Sequence, residues 1–233
     1  MGIIKSWSFS AKQNFDACPY KFYHKLVLKT PRPPEPEDSP LKRGTTLHKL
    51  AEDFIKSPDL QSVPKELSNM EKEFESLYID AHSGAGYKVE EPWAFTSEWE
   101  PTGWYSDDVW VRMALDLQIG TESTKGRIID YKTGKKDGNE LKHMIQGEFY
   151  ALGAMLKNPN LQEVKTEFWY LDHNKITAKL WNRKQFKKLK SRWNAIGIAI
   201  TTTEELNPKP AKYKCRYCEY SSACEFAIKK EDL

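Results

Sequence analysis

Two stretches, Met113-Ala-Leu-Asp-Leu-Gln-Ile119 and Arg127-Ile-Ile-Asp-Tyr-Lys-Thr-Gly134, decide how this chain is read. Apolar and β-branched residues dominate both, and Gly120, Ser123 and Gly126 stand between them, so two strands joined by a turn are expected. On the second strand Asp130 and Lys132 are two apart and project to one face. On the first, Asp116 sits between Leu115 and Leu117, where a carboxylate is costly unless something pairs with it. If the strands form a hairpin, the two carboxylates converge and Lys132 projects beside them. Carboxylates that hold Mg²⁺ or Mn²⁺, with an ammonium beside the developing charge, are what phosphodiester hydrolysis requires. An ordinary strand with an Asp-Lys ion pair gives the same D-x-K pattern, so the surroundings must decide.

Downstream, apolar residues at helical spacing (Ile145, Phe149, Leu152, Leu156) predict a helix over about 141–156. Gln146 and Tyr150 share one of its faces, where both could reach a phosphate or a base edge. Two strands follow, 164–171 and 175–181, joined by Asp172-His173-Asn174. Asn182, with Gln185 three residues later, is expected to cap a last long helix that buries Phe186, Leu189, Trp193, Ile196 and Ile200. Upstream, a strand is expected over 87–99 and helices over about 64–81 and 45–55; His48, on the flank of the latter, could add an imidazole ligand. The stretch 30–40 holds five prolines and reads as a stiff exposed connector. Before it, a helix capped by Ser10 is expected to carry Phe15, Cys18, Phe22 and Leu26 on its apolar side, kinked or restarted at Pro19. The sum is an α/β fold: a central mixed sheet with an antiparallel meander, flanked by helices.

Composition narrows the class. The chain has 233 residues, a formal charge of +3, 39% hydrophobic and 12% aromatic residues with eight Trp, which suits one globular domain and excludes disorder. No apolar run approaches the roughly 20 residues that span a bilayer, so no membrane role is expected. The N-terminus lacks the cationic and apolar regions of a secretory signal, which places the protein in a reducing cytoplasm. There Cys18 and the C-x2-C-x5-C run of Cys215, Cys218 and Cys224 read as metal-binding rather than disulfide-bonded. Four thiolates fit either a tetrahedral zinc ion or a cubane cluster. Between Asp172 and Cys218 twelve Lys and Arg face three acids, a stripe that could meet a polyanion or be a solvated helix face. Trp93, Trp99 and Trp104 are expected in the core, with stacking on unpaired bases as the other reading.

The ordered set Ser8-Phe-Ser10, Cys18-Pro19-Tyr-Lys-Phe-Tyr23, Gly44-Thr-Thr-Leu-His48, Asp116, Asp130-Tyr-Lys-Thr-Gly134, Gln146-x3-Tyr150 and the terminal cysteines resembles the RecB-like, iron-sulfur branch of the PD-(D/E)XK nucleases. The likeness runs from about residue 8 to 224 and is closest to CRISPR-associated exonucleases, their phage relatives and the nuclease domain of AddB. It implies a single nuclease domain over residues 1–233, in which 41–206 form the helical part and the restriction-endonuclease-like core, and 1–30 with 207–233 form a cluster-binding subregion. It implies that His48, Asp116, Asp130 and the carbonyl of Tyr131 hold Mg²⁺ or Mn²⁺, that Lys132 is the catalytic lysine, and that Gln146 and Tyr150 hold DNA. It implies that Cys18, Cys215, Cys218 and Cys224 bind a [4Fe-4S] cluster that joins the N-terminal helices to the C-terminal tail. Leu115 and Met113 depart from the family's usual Pro and Gly, yet neither position supplies a ligand.

The function expected is a metal-dependent deoxyribonuclease, an exonuclease on single-stranded DNA or DNA ends. Recombination, replication or CRISPR-adaptation proteins are the partners the resemblance suggests. The rival reading is a catalytically silent DNA-binding adaptor, against which two convergent carboxylates argue.

Overall fold

Seven strands form one mixed sheet in the computed structural model, which describes residues 2–134 and 136–228. The chain enters through a two-residue strand, β1 (Trp7–Ser8), followed by helices α1 (Phe9–Ala17) and α2 (Pro19–Leu26). The cap of α1 is Ser8, not Ser10: its hydroxyl accepts from the Ala11 N–H, because Ser8 keeps extended backbone while Ser10 is already helical. Pro19 opens a new helix rather than kinking one, since its missing N–H costs nothing in a first turn. Phe22 is fully buried but Leu26, expected beside it, is exposed at the end of α2.

Helix α3 (Pro40–Lys56) starts five residues earlier than its apolar stripe suggested. Ser39 caps it and Pro40 occupies its first turn, so the last proline of the connector belongs to the helix. The helix expected over 64–81 divides into a 3-10 segment, Lys65–Met70, and α4 (Glu71–Ala81). Strand β2 (Tyr87–Phe95) stops four residues short of the expected Trp99, because Thr96 to Glu100 makes a turn in which Trp99 has φ 69°. Then come β3 (Pro101–Thr102), β4 (Val111–Ile119), β5 (Lys125–Lys132), α5 (Glu140–Lys157), β6 (Glu163–Tyr170), β7 (Lys175–Asn182), α6 (Phe186–Thr201) and a short α7 (Lys212–Cys215). Asn182 and Gln185 form the expected capping box, with one 3-10 turn before α6.

The strand order is β3-β2-β4-β5-β6-β7, with β1 parallel to β4. The pairs from β3 to β5 are antiparallel, as the meander required, while β5 and β6 run parallel across α5. Apolar cores lie on both faces. One gathers Trp7, Trp93, Phe95, Phe149, Trp193 and Ile200 beneath α1, α5 and α6. The other gathers Phe54, Phe74, Leu77, Tyr131 and Trp169 beneath α3 and α4. Being covered on both sides, β5 reads as a nearly continuous apolar run; each fully buried large side chain contributes on the order of 2 kcal/mol. Helix α5 lies so close to the sheet that a Cβ at Gly153 would fall 2.5 Å from Met113 Sδ, which fixes where Gln146 and Tyr150 stand.

Candidate metal and nucleic-acid site

Strand β4 has two partners on one edge. Its first residues pair with β1 (Trp7↔Val111, Ser8↔Arg112), its last with β5 (Leu117↔Ile129 to Ile119↔Arg127), and residues 113–116 between them pair with neither. The ladder opens where Asp116 stands. Across the other edge, β2 brings Glu90 opposite Asp116, between Val89↔Leu117 and Glu91↔Leu115. Glu90 has φ 52°, the left-handed region that costs a non-glycine residue roughly 1–2 kcal/mol. Both strands change face there: Leu115 packs in the core under α5 and α6, whereas Leu117, two residues on, packs in the core under α3 and α4. The kink puts Asp116 at a boundary between the two layers instead of burying it in either.

Two contacts hold the Asp116 carboxylate. Oδ2 accepts the backbone N–H of Tyr131 at 2.7 Å, replacing the ladder bond that the opened strands lack, and Oδ1 lies 3.2 Å from Nδ1 of His48 on α3. Because N–H and C=O of one strand residue face the same side, the Tyr131 carbonyl also turns toward β4. One ligand atom each of His48, Glu90 and Asp116 lies within 4.8 Å of the other two, a spacing suited to one metal ion. Burial pushes the His48 imidazole down, but Asp116, with Asp130 behind it, more than offsets this and holds its pKa above the ordinary value. Burial also raises the Glu90 carboxyl, and Asp116 adds to the shift.

Asp130 is outside that trio. Its Oδ1 is 2.5 Å from Lys132 Nζ, on the face toward α5. Burial raises its pKa, Lys132 opposes the rise and Asp116 adds to it. Lys132 stands 5.6 Å from the centre of the Phe168 ring and lines two clefts at once. One, of about 700 Å³, holds His48, Glu90, Asp116 and Tyr131. The other, of about 420 Å³, lies between α1 and α5 and holds Ser8, Ser10, Lys142, Gln146 and Tyr150. Gln146 Nε2 donates to the Tyr150 hydroxyl at 2.7 Å; burial, then Asp130 and Asp116, push that phenol well above its ordinary range.

A second cluster of chemistry lies away from the sheet. Cys18, Cys215, Cys218 and Cys224 line one cavity of about 240 Å³, walled by His24, Tyr220 and Phe226. No three of the four Sγ atoms fall within 4.8 Å of one another. Burial raises the Cys218 and Cys224 thiols, and Cys18 and Cys215 add to the shift at Cys224. Around the cavity the tail is linked to the end of α1 by Lys214, which donates to the Ala17 carbonyl, and to α2 by Lys21 with Glu219 and by His24 stacked on Tyr220.

The basic stripe does not serve either cleft. None of its twelve cations lines them, and Arg183 and Arg192 are spent internally, on the carbonyls of Met155, Asn158, Pro159 and Leu161 and on Glu148. The residue missed by sequence reasoning is Glu90. Its only signal is the Glu90-Glu91 pair, which interrupts the alternation of a strand; its approach to Asp116 depends on the register of β2.

A mixed sheet whose central ladder opens onto strand-borne carboxylates, with a lysine beside them, is the frame of a hydrolytic nuclease. The chain belongs to the PD-(D/E)XK nuclease superfamily, whose family model matches residues 6–225. The fold is shared with a candidate exonuclease of Eubacterium rectale at 15% identity and a TM-score of 0.53, over 97% of this chain and 90% of that one. SSO0001 aligns over 98% of this chain and 90% of its own length at 13% identity and a TM-score of 0.44. No curated protein sequence matches the chain. Among the described residues no helix is long and apolar enough to cross a membrane.

Proposed function

We propose that the protein is a divalent-metal-dependent deoxyribonuclease that hydrolyses phosphodiester bonds, working as an exonuclease on single-stranded DNA or DNA ends. The observation that carries this reading is the convergence of His48, Glu90 and Asp116 within 4.8 Å, beside the Asp130–Lys132 pair, at the mouth of two open clefts. The donor set fits a hard divalent ion: carboxylate oxygens with one imidazole. His48, Glu90, Asp116, Asp130 and the Tyr131 carbonyl would hold it. Bound Mg²⁺ or Mn²⁺ supplies Lewis acidity and a more acidic water. Lys132 opposes the rise that burial imposes on the Asp130 carboxyl, and its ammonium stabilises negative charge that develops on the phosphate. Gln146 and Tyr150 present an amide and a hydroxyl to the strand along the α5 wall, as in the RecB-like branch.

The four cysteines line one cavity, and four thiolates there could hold a metal group. The resemblance to the iron-sulfur branch is what favours a [4Fe-4S] cluster over zinc. The cluster would close a loop of nearly the whole chain and tie α1 and α2 to the tail.

Degradation of end-labelled single- and double-stranded DNA by anaerobically purified protein, with Mn²⁺ or with EDTA, tests the reading. Metal-dependent loss of label, absent in Lys132→Ala, supports it, and the end that shortens gives the polarity. A folded protein that binds DNA without degrading it would overturn it in favour of an adaptor.

A further inference from the structure

Seven of the eight tryptophans are buried; Trp104 is the exception, half-exposed in the loop after β3 and facing the cleft that begins at Lys132. We propose that Trp104 and Arg112 form a subsite for one unpaired nucleotide, its base stacked on the indole and a neighbouring phosphate held by the guanidinium. The proposal rests on the nuclease reading above and adds to it the part of the strand recognised away from the metal.

Arg112 is fixed for this role. Its Nε donates to the Trp104 carbonyl at 3.0 Å, its Nη1 to Ser6 Oγ at 2.6 Å, and the guanidinium lies 5.7 Å from the centre of the indole. No carboxylate pairs with it among the described residues, and its Nη2 has no partner there. A part-buried guanidinium beside an open cleft, held by neutral acceptors alone, keeps its charge for an anion from outside. Arg112, Met113, Ala114 and Lys132 line one cleft, and Lys132 also lines the neighbouring cleft that holds Asp116. Four strand residues span about 13 Å, so the subsite lies a short way along a strand held at Asp116. Gln13 lines the same wall, and its buried Nε2 has no partner. Tyr105, the next residue in the loop, is 92% exposed. A ring accepts any base that offers a free face, and a base inside a duplex offers none, so the subsite selects single strands without selecting sequence.

The test is binding of two fluorescein-labelled ten-nucleotide strands in EDTA, one with normal bases and one fully abasic, followed by anisotropy. Trp104→Ala is expected to weaken the base-bearing strand about fivefold or more and to leave the abasic strand unchanged, with Trp104→Phe near the parent. Arg112→Gln should weaken both strands. An equal loss for both strands in Trp104→Ala, or no loss, overturns the subsite. Should Trp104→Ala unfold, Trp104→Leu supplies similar bulk without a ring face, and the same contrast decides. Cleavage by the parent is scored separately: an inert parent sinks the nuclease reading, whereas an active parent without the base-dependent contrast sinks the subsite alone.

Discussion

Asp116 Oδ2 accepts the backbone N–H of Tyr131 at 2.7 Å, so a side chain closes the ladder between β4 and β5 where the two backbones have parted. The bond positions the carboxylate before any ion arrives, and a neutral amide oxygen could accept the same N–H. Asp116→Asn should therefore melt like the parent, bind Mn²⁺ at least tenfold more weakly by calorimetry and lose DNA degradation. Asp116→Ala should lose the same functions and about 1 kcal/mol of stability in addition, read from urea unfolding.

In the proposed reaction Lys132 serves Asp130 and the phosphate at once. Lys132→Met should lower single-turnover cleavage of end-labelled DNA by roughly 10²–10³, the scale for removing one preorganised charge. Mn²⁺ binding should weaken much less than cleavage. Equal losses in both would mean that the lysine acts only by positioning Asp130.

Glu90 trades conformation for a ligand. Glu90→Gly removes a carboxylate from the trio and gives the φ of 52° to the residue that tolerates it, so Mn²⁺ affinity should fall about tenfold or more while the melting temperature stays level or rises. A lower melting temperature with unchanged metal affinity would assign Glu90 a purely structural part.

The cysteine cavity joins segments almost two hundred residues apart. Anaerobic protein should carry about four iron and four sulfide per chain, and Cys18→Ser should lower the iron and expose α1, α2 and the tail to limited proteolysis. Zinc in place of iron at full occupancy, without inorganic sulfide, would refute the cluster.

His143, in the α5 wall, stacks on Phe168 and shares a hydrogen bond of 2.8 Å between its Nδ1 and the Tyr170 hydroxyl. Burial, with Lys132 and Lys142 adding, lowers its pKa to about 4. Since the unfolded imidazole titrates near 6.5, the folded state gives up stability as pH falls from about 6.5 to 4, by at most ~3 kcal/mol, and keeps it in full above that window. Urea midpoints of the parent and His143→Gln at pH 7.5 and 4.5 should converge toward the acid end; parallel curves would show that His143 is not the group responsible.

The sequence by itself determined the elements and much of the site. Alternation in 113–119 and the apolar run before Asp130 marked β4 and β5, the Asn182–Gln185 pair marked the start of α6, and helical spacing put Gln146 and Tyr150 on one face. These are local signals, carried by periodicities of 2 and 3.6 and by side chains that bond their own backbone. Ser39-Pro40 carried a local signal as well, a cap followed by a first-turn proline, but it was hidden inside a proline-rich connector.

Tertiary structure decided the rest. That Asp116 reaches His48 and Glu90, while Asp130 is held by Lys132, depends on a kink shared by β2 and β4 and on where β1 and β5 each stop pairing with β4. That Trp104 faces a cleft while seven other tryptophans fill the cores depends on which side of a turn each one falls. That Arg183 and Arg192 are spent on the fold, though they read as part of a basic stripe, depends on carbonyls and a carboxylate brought near from α5 and the loop after it. Such contacts join residues tens of positions apart, and periodicity, the signal that made the elements legible, says nothing about register between elements.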